Sequence, residues 1–427
     1  MASHIKPTNR ESPFSLEELF FSTTDRKGFI QYGNNVFIRV SHYGADELVG
    51  QPHNKIRHPD MPRCVFRLLW ETILKGKPIA AYVKNMAKDG SYYWVMAYVA
   101  PIKDGFLSIR MKPSGPLFER VRGVYEELAA VEKEADDAGL SRVQSMDAAT
   151  KKLEAILGSL GIADYERLMH EMLVSEVLSR KKLLHRTEVP PETHEYGHDE
   201  LSLRRRHCGQ LAEHVYRLNA SLRSFLELEK HLGENIAFTT SFANTLHRLT
   251  LNGRILAVAL GEQASVLSEV ARLMNDVSSE VAEAGGALSR TMTSVMRSLK
   301  TAAAEIASSD ISVEMMSLFL KELQAEGADI SMMKHNIDDL SSVIAERLRT
   351  TCECTEKAAA DLHAMENMLD HFMNTIQTLD ILYVSGRIEC MRINATDFSS
   401  LLAETVAAAA EARERGGKLS TLEHFQI

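Results

Sequence analysis

The chain has 427 residues, of which 45% are hydrophobic and 25% charged, and its formal charge is −9. That length predicts two or three domains, and the acidic balance argues against nucleic acid as the main partner. In the first 115 residues the turn cluster Asp25 to Gly28 leads into a strand at Phe29 to Tyr32. Short helices are expected at Asn34 to Ser41 and near Ala45 to Val49, and a longer one at Cys64 to Leu74. A second strand covers Ala80 to Asn85. Lys88-Asp89-Gly90 then turns into Tyr92 to Val99, and Lys103-Asp104-Gly105 into Phe106 to Met111, which gives an antiparallel meander.

From Leu117 the pattern becomes helical. Glu119 to Glu134 and Ala148 to Arg186 are amphipathic, with breaks near Gly139 and Gly161. Thr187 to Glu200 carries Pro190, Pro191 and Gly197 and reads as a linker. All 11 prolines lie at or before Pro191, so later helices can run long. Two apolar stripes repeat at spacings of three and four. One is Leu267, Val270, Met274, Val277, Val281, Ala284 and Leu288; the other is Leu362, Met365, Leu369, Phe372, Ile376, Leu379 and Tyr383. Such stripes predict a coiled coil or elongated bundle. Gly285-Gly286, Gly327 and Ser308 to Asp310 are the candidate reversals. The expected fold is thus an α+β domain, an antiparallel sheet with flanking helices, at 1–115. A helical connector follows at 116–186, a linker at 187–200 and an all-α bundle at 201–427.

The longest apolar runs, Ile255 to Leu260 and Val406 to Ala410, fall far short of the roughly 20 residues a bilayer span needs, so no span is expected. Met1 to Phe14 is polar and does not read as a signal peptide. Cys64, Cys208, Cys352, Cys354 and Cys390 are odd in number and dispersed, which suggests reduced thiols and a cytoplasmic location. Cys352-x-Cys354 opens a metal-site spacing that nothing completes.

The candidate site is Asn54-Lys55-Ile56-Arg57-His58-Pro59-Asp60-Met61-Pro62, followed by Trp70. Its prolines forbid a regular helix and hold an arginine, a histidine and an aspartate on a stiff loop, which suits an anionic aromatic ligand. The bland alternatives are Asp60 as a cap for the helix near Pro62, Trp70 as ordinary core and His58 as a satisfied loop histidine.

Several stretches resemble the flavin-binding PAS domain of the bacterial aerotaxis receptor family. They are Ser22-Thr23-Thr24-Asp25, Gly50 to Asn54, Ile56 to Pro62, Lys84-Asn85, Tyr93-Trp94-Val95 and Ser108-Ile109-Arg110. The resemblance implies non-covalent FAD and a report of redox state. Within it, Arg57 suits phosphate or the isoalloxazine edge, His58 and Asp60 the ring's orientation and electron density, and Trp70 the pocket wall. Asn34 and Asn85 offer amide hydrogen bonds to the ring. Light-driven adduct chemistry is not expected, since Cys64 lacks the Asn-Cys-Arg context. Rival readings are a haem domain using His53 and His58, or a PAS domain without a ligand that only dimerises.

The C-terminal part resembles a degenerate chemoreceptor signalling domain. Leu251 to Glu262 keeps the frame of that family's hairpin tip, including Asn252 and Glu262, with Leu256 and Ala259 in place of its Glu and Arg. Ser385 to Arg392 keeps Ile388-Glu389 and Arg392, and the two stretches share Gly-Arg-Ile. Partner-binding candidates are Glu389, Arg392, Asn252 and Glu262. The implied partners are a chemotaxis kinase or its coupling protein and a second copy of the chain. No P-loop, phosphoacceptor histidine or nucleophile elbow is visible, so no enzymatic activity is expected.

Overall fold

The computed structural model describes residues 5–185, 199–327 and 330–420. Five strands form one sheet: β1 (Leu19–Asp25), β2 (Ile30–Gly33), β3 (Ile79–Met86), β4 (Tyr92–Ile102) and β5 (Gly105–Met111). Their order is β2-β1-β5-β4-β3, and every pairing is antiparallel. Between β2 and β3 the chain forms α1 (Asn35–Ser41), α2 (Ala45–Leu48), a 3-10 turn (His53–Ile56) and α3 (Arg63–Leu74). The expected α+β architecture is therefore present. The first turn forms because the Asp25 carboxylate accepts from the backbone N–H of Lys27 and of Phe29, at 2.9 and 2.8 Å, while Gly28 takes φ +83°. Strand β1 was absent from the expected elements. Its first five residues are all buried, because Phe20 packs with Phe37 while Phe21 packs with Phe319. A strand covered on both faces shows no alternation of polarity.

Three helices follow: α4 (Phe118–Asp137), α5 (Arg142–Ser159) and α6 (Tyr165–Leu183). Ser141 and Gln144 form a capping box at the start of α5, and Asp164 caps α6. Two buried carboxylates fix these helices to the first domain. Glu176 of α6 accepts from the Tyr82 hydroxyl at 2.5 Å and from the N–H groups of Ser114 and Gly115 at 2.7 and 2.8 Å. Glu132 of α4 accepts from the N–H groups of Arg63 and Cys64 at 2.9 and 2.7 Å.

The remaining helices are α7 (Glu200–Ala259), α8 (Ser265–Glu326), α9 (Ile330–Ile393) and α10 (Thr396–Ser420). The expected linker lies largely outside the described residues. Contacts divide the chain into two units, 1–220 with 303–351 and 221–302 with 352–427. In the first unit α8 covers the outer face of the sheet. Phe319 stands edge-on to Phe21 at 4.9 Å, and Glu322 accepts from Asn34 Nδ2 at 3.3 Å and the Asn35 N–H at 2.8 Å. Arg180 of α6 binds Glu314 of α8, and Lys181 binds Asp310 at 2.7 Å.

The long helices reverse near Gly261, Gly327 and Asn394, all with positive φ. Of the expected reversals only Gly327 is one. Gly285-Gly286 and Ser308 to Asp310 lie inside α8. A Cβ on Gly285 would stand 2.9 Å from Thr239 and 3.2 Å from Phe372, so this glycine serves close packing. Ser308 and Ser312 bond back to carbonyls of the preceding turn, which lets polar residues stay in a buried helix.

In the second unit, Gly253-Arg254-Ile255 lies near the end of α7 and Gly386-Arg387-Ile388 near the end of α9. Each glycine lies eight residues before a residue in the left-handed region, Gly261 at φ +71° and Asn394 at φ +57°. The two stretches thus hold equivalent places in two helical hairpins.

Replacing Glu176 with alanine leaves the Tyr82 hydroxyl and two backbone N–H groups without an acceptor. We expect a loss of about 3 kcal/mol or more, read as an earlier urea midpoint followed through the aromatic signal of the first domain. An unchanged midpoint would mean that α6 does not clamp the sheet.

Candidate functional site

The inner face of the sheet and α3 enclose a cavity of about 900 Å³ including its open mouth. The strands contribute alternate residues, among them Val83 and Asn85, Ala97 and Val99, and Ser108 and Arg110. Helix α3 contributes Phe66, Leu69, Trp70 and Ile73, one face of a helix at spacings of three and four. Trp70 leans over Gly28, where a Cβ would come within 2.6 Å of the indole. Only glycine fits that position, on both φ and space. The indole meets Phe106 edge-on at 5.7 Å.

Polar side chains are set among these apolar ones: Thr24, Lys27, His53 and Asn54, with Arg57, Asn85, Ser108 and Arg110. The Arg57 guanidinium stacks over Phe66 at 4.3 Å and donates to the Met61 carbonyl at 2.7 Å. The backbone of Arg57 pairs with that of Asn85, which ties the loop to β3. Asn85 Nδ2 and Ser108 Oγ are buried without a hydrogen-bond partner. Arg110 contacts Ser22 Oγ at 3.0 Å and His53 Nε2 at 2.5 Å, and faces the rings of Phe37 and Phe20 at 5.3 and 5.7 Å. Burial and the neighbouring Arg110 push the His53 imidazole down to about 3, so it is neutral and its Nε2 accepts from the guanidinium. Burial lowers Arg110 to about 10, which leaves it charged at neutral pH.

The six residues expected at a cofactor site are not all brought together. Arg57, Asn85 and Trp70 line the cavity. His58 instead borders a second, more open cleft beside α4, with its Nε2 buried and unpartnered. Its Nδ1 accepts from the Asp60 N–H at 3.2 Å, and burial lowers its pKa. Asp60 is 64% exposed and binds Lys84 at 2.6 Å, so it pins the loop to β3. It is not a helix cap either; Pro62 holds that place, and Glu132 supplies the acceptor. Asn34 lies outside the cavity. Its Oδ1 accepts from the Phe21 N–H at 3.1 Å and its Nδ2 donates to Glu322, so both ends of the amide are committed. His53 and His58 do not face a common space, which removes the paired ligands of the haem reading; among the described residues no metal-holding cluster exists.

Arg110 and Ser108 were not singled out as site residues, although Ser108-Ile109-Arg110 stood among the resembling stretches. The available signal was a serine and an arginine two apart in an otherwise apolar strand, hence on one face.

At the hairpin ends the expected partner surface is different. Glu389 is buried and accepts from its own helix neighbour Arg392, at 2.5 and 2.8 Å, while Arg392 is exposed. Asn252 is exposed, and the side chain of Glu262 lies outside the described residues. The hairpin ends also expose apolar side chains: Leu251, Ile255 and Val258 on α7, and Ile381, Val384, Ile388 and Met391 on α9.

The neutral state of His53 has a pH signature. The unfolded imidazole titrates near 6.5, so below that pH the unfolded chain binds a proton that the folded chain refuses until about pH 3. Stability from this group is complete above about pH 6.5 and is lost on acidification, by roughly 1.4 kcal/mol per unit. Thermal midpoints at pH 7.5 and 5 should therefore converge in His53→Asn relative to the wild type. An equal drop in both would contradict a neutral His53.

Residues 30–107 match the family model described as PAS fold. The chain is 42% identical over 133 residues to the aerotaxis receptor of Escherichia coli, covering 31% of this chain and 25% of that protein. It is 30% identical over 81 residues to the nitrogen fixation regulatory protein of Klebsiella pneumoniae, covering 19% and 16%. Over 82 residues it is 27% identical to the biofilm dispersion protein BdlA of Pseudomonas aeruginosa, covering 19% and 20%. The chain thus spans a quarter or less of the length of each of these relatives. No helix among the described residues is long and apolar enough to cross a membrane. The antiparallel five-stranded sheet, its inner cavity and these matches identify the N-terminal domain as a PAS domain.

Proposed function

We propose that this protein is a cytoplasmic redox or oxygen sensor whose PAS domain holds FAD and whose long helices act by binding other proteins, without chemistry of their own. The observation that carries the reading is the pair of buried, unpartnered polar atoms, Asn85 Nδ2 and Ser108 Oγ, on the wall of a cavity that is apolar over most of its surface. Buried polar groups are normally satisfied, so a wall with two orphans calls for a ligand with polar edges. An isoalloxazine ring, flat and apolar on its faces with carbonyls and nitrogens on its rim, has that character. The similarity to a protein named aerotaxis receptor supports the same reading.

When bound, FAD supplies a group that stores electrons reversibly. The chain's own residues have separate tasks. Asn85 and Ser108 hydrogen-bond the ring edge, and Arg57 offers a charged donor beside them. Trp70 closes the mouth against water. A change of charge at this wall alters hydrogen bonding on β3 and β5, and the helices read it through their contacts with the sheet. A homodimer is the working assembly, and a chemotaxis kinase or its coupling protein is the expected partner. Glu389 is buried, so the surface offered for that role is the exposed apolar positions of the hairpin ends together with the exposed Arg392 and Asn252 beside them.

The purified protein should be yellow and release FAD on denaturation. Arg57→Ala and Asn85→Ala should each weaken FAD binding by roughly 10- to 150-fold, the value of a charged or buried hydrogen bond, while Cys352→Ala should not. A colourless protein that takes up no FAD on reconstitution, or one with a Soret band, rules the reading out.

A further inference from the structure

Arg110 lies inside the PAS core with 2% of its surface exposed. Its neighbours are all neutral: the Ser22 hydroxyl, the Ser108 carbonyl, the His53 imidazole and the faces of two phenylalanine rings. Among the described residues no carboxylate lies within ion-pair distance of it. His53 cannot serve as counter-ion, because a neutral imidazole is its only available form near neutral pH. The other buried arginine among the described residues, Arg180, pairs with an acid, Glu314. A buried charge without a partner is costly, and it persists where something outside the chain compensates it.

The position of Arg110 indicates what that partner is. It lines the cavity on β5, two residues from Ser108, whose hydroxyl is one of the orphaned groups. The aromatic faces of Phe20 and Phe37 and the lone pair of His53 stabilise the cation without neutralising it.

We infer that Arg110 is the anion receptor of the cavity: the bound ligand places negative charge against this guanidinium, and the more negative redox form of the ligand binds more tightly than the neutral one. The identity of the ligand as a flavin rests on the function proposed above; the need for an anion rests on Arg110. For FAD, added electrons make the ring system more negative, so the Arg110 cation favours the reduced form and raises the cofactor's potential. The residue is thus a tuning residue for the signal, separate from Arg57 and Asn85, which serve occupancy.

The test compares full-length wild type, Arg110→Met and Arg110→Lys. Bound FAD is titrated with dithionite to obtain its midpoint potential, and the thermal midpoint of each apoprotein is measured. Arg110→Met should weaken binding of reduced relative to oxidised FAD by roughly 10- to 150-fold, which for a two-electron couple lowers the potential by about 30 to 65 mV. Arg110→Lys, which keeps the charge, should stay close to the wild type. Apo Arg110→Met should melt at or above the apo wild type, because the uncompensated charge is gone. Equal potentials in wild type and Arg110→Met, or an apo Arg110→Met that melts below the wild type, would overturn the inference. If Arg110→Met holds no FAD, the lysine variant decides: retained FAD at near wild-type potential upholds the anion receptor, and an empty lysine variant refutes it. If the wild type itself takes up no FAD, the flavin reading falls, and the apoprotein comparison alone decides whether Arg110 is an unpaired charge awaiting an anion.

Discussion

Helix α3 begins without a cap of its own. Proline occupies its N-cap position, so no local side chain accepts the first free N–H groups. Glu132, on α4 and 68 residues further along the chain than Cys64, supplies the acceptor for both Arg63 and Cys64. The same carboxylate takes the Arg63 Nε, and Asp136 one turn later takes its Nη2, at 2.9 and 2.8 Å. The wall of the cavity therefore depends on a helix that contributes no residue to it. Phe66, Leu69, Trp70 and Ile73 can face the sheet only while α3 holds its register, and that register is fixed from α4. A helix N-terminus favours a carboxylate on electrostatic grounds as well, which makes this contact more than a hydrogen-bond count.

The sheet works as a partition with different chemistry on its two sides. Phe20 and Phe21 are neighbours on β1 and face opposite ways. Phe20 joins Phe37 and the Arg110 guanidinium on the cavity side; Phe21 meets Phe319 of α8 on the other. Asn34 spans the edge of this arrangement, holding the Phe21 backbone with one end of its amide and Glu322 with the other. Strand β1 thus touches both the cavity side and α8, with no element between them. The Arg110 to Ser22 bond joins β5 and β1 through side chains, in addition to the ladder between them. This is a short physical route from the cavity to a long helix, of the kind a two-state element requires.

What the sequence made legible follows the range of the interactions. The turn at Lys88-Asp89-Gly90 is local chemistry, with Gly90 at φ +84° and the Asp89 carboxylate on the Ser91 N–H, and it was readable from three residues. The heptads of α8 and α9 were readable because periodicity survives any tertiary context; Leu267, Val281, Leu288 and Ile376 are all buried. Strand β1 was not, since burial on both faces erases alternation. Glu132 and Glu176 were equally invisible, because their partners lie tens of residues away and a carboxylate on an amphipathic helix ordinarily means solvent. The site divides the same way. Arg57, Asn85 and Trp70 stood out through a stiff loop and a family resemblance. Asn34 and Asp60 shared that signal and turned out to be fasteners, one for α8 and one for β3. The resemblance picks out both kinds of residue, and geometry alone separates those that line the cavity from those that hold the frame.

The hairpin ends make a related point about repeats. Gly-Arg-Ile recurring among alanine- and leucine-rich helices is weak on sequence alone. In the structure both glycines are buried, both isoleucines are 60% exposed, and both stretches run into a left-handed residue at the same distance. A Cβ on Gly386 would come within 2.8 Å of Leu402 and 3.2 Å of Val270, so this glycine admits close approach of neighbouring helices near the turn. Three coincident features, at the same offsets, argue for a repeated structural unit more strongly than the three shared letters do. The unit differs between its copies at one informative position: Leu256 in the first stands where Glu389 stands in the second. Because Glu389 is buried and consumed by Arg392, exchanging it for leucine changes what the hairpin needs internally and leaves its apolar outer stripe intact. The two stretches therefore present the same apolar outer face, Leu251, Ile255 and Val258 in one and Val384, Ile388 and Met391 in the other, on different internal chemistry.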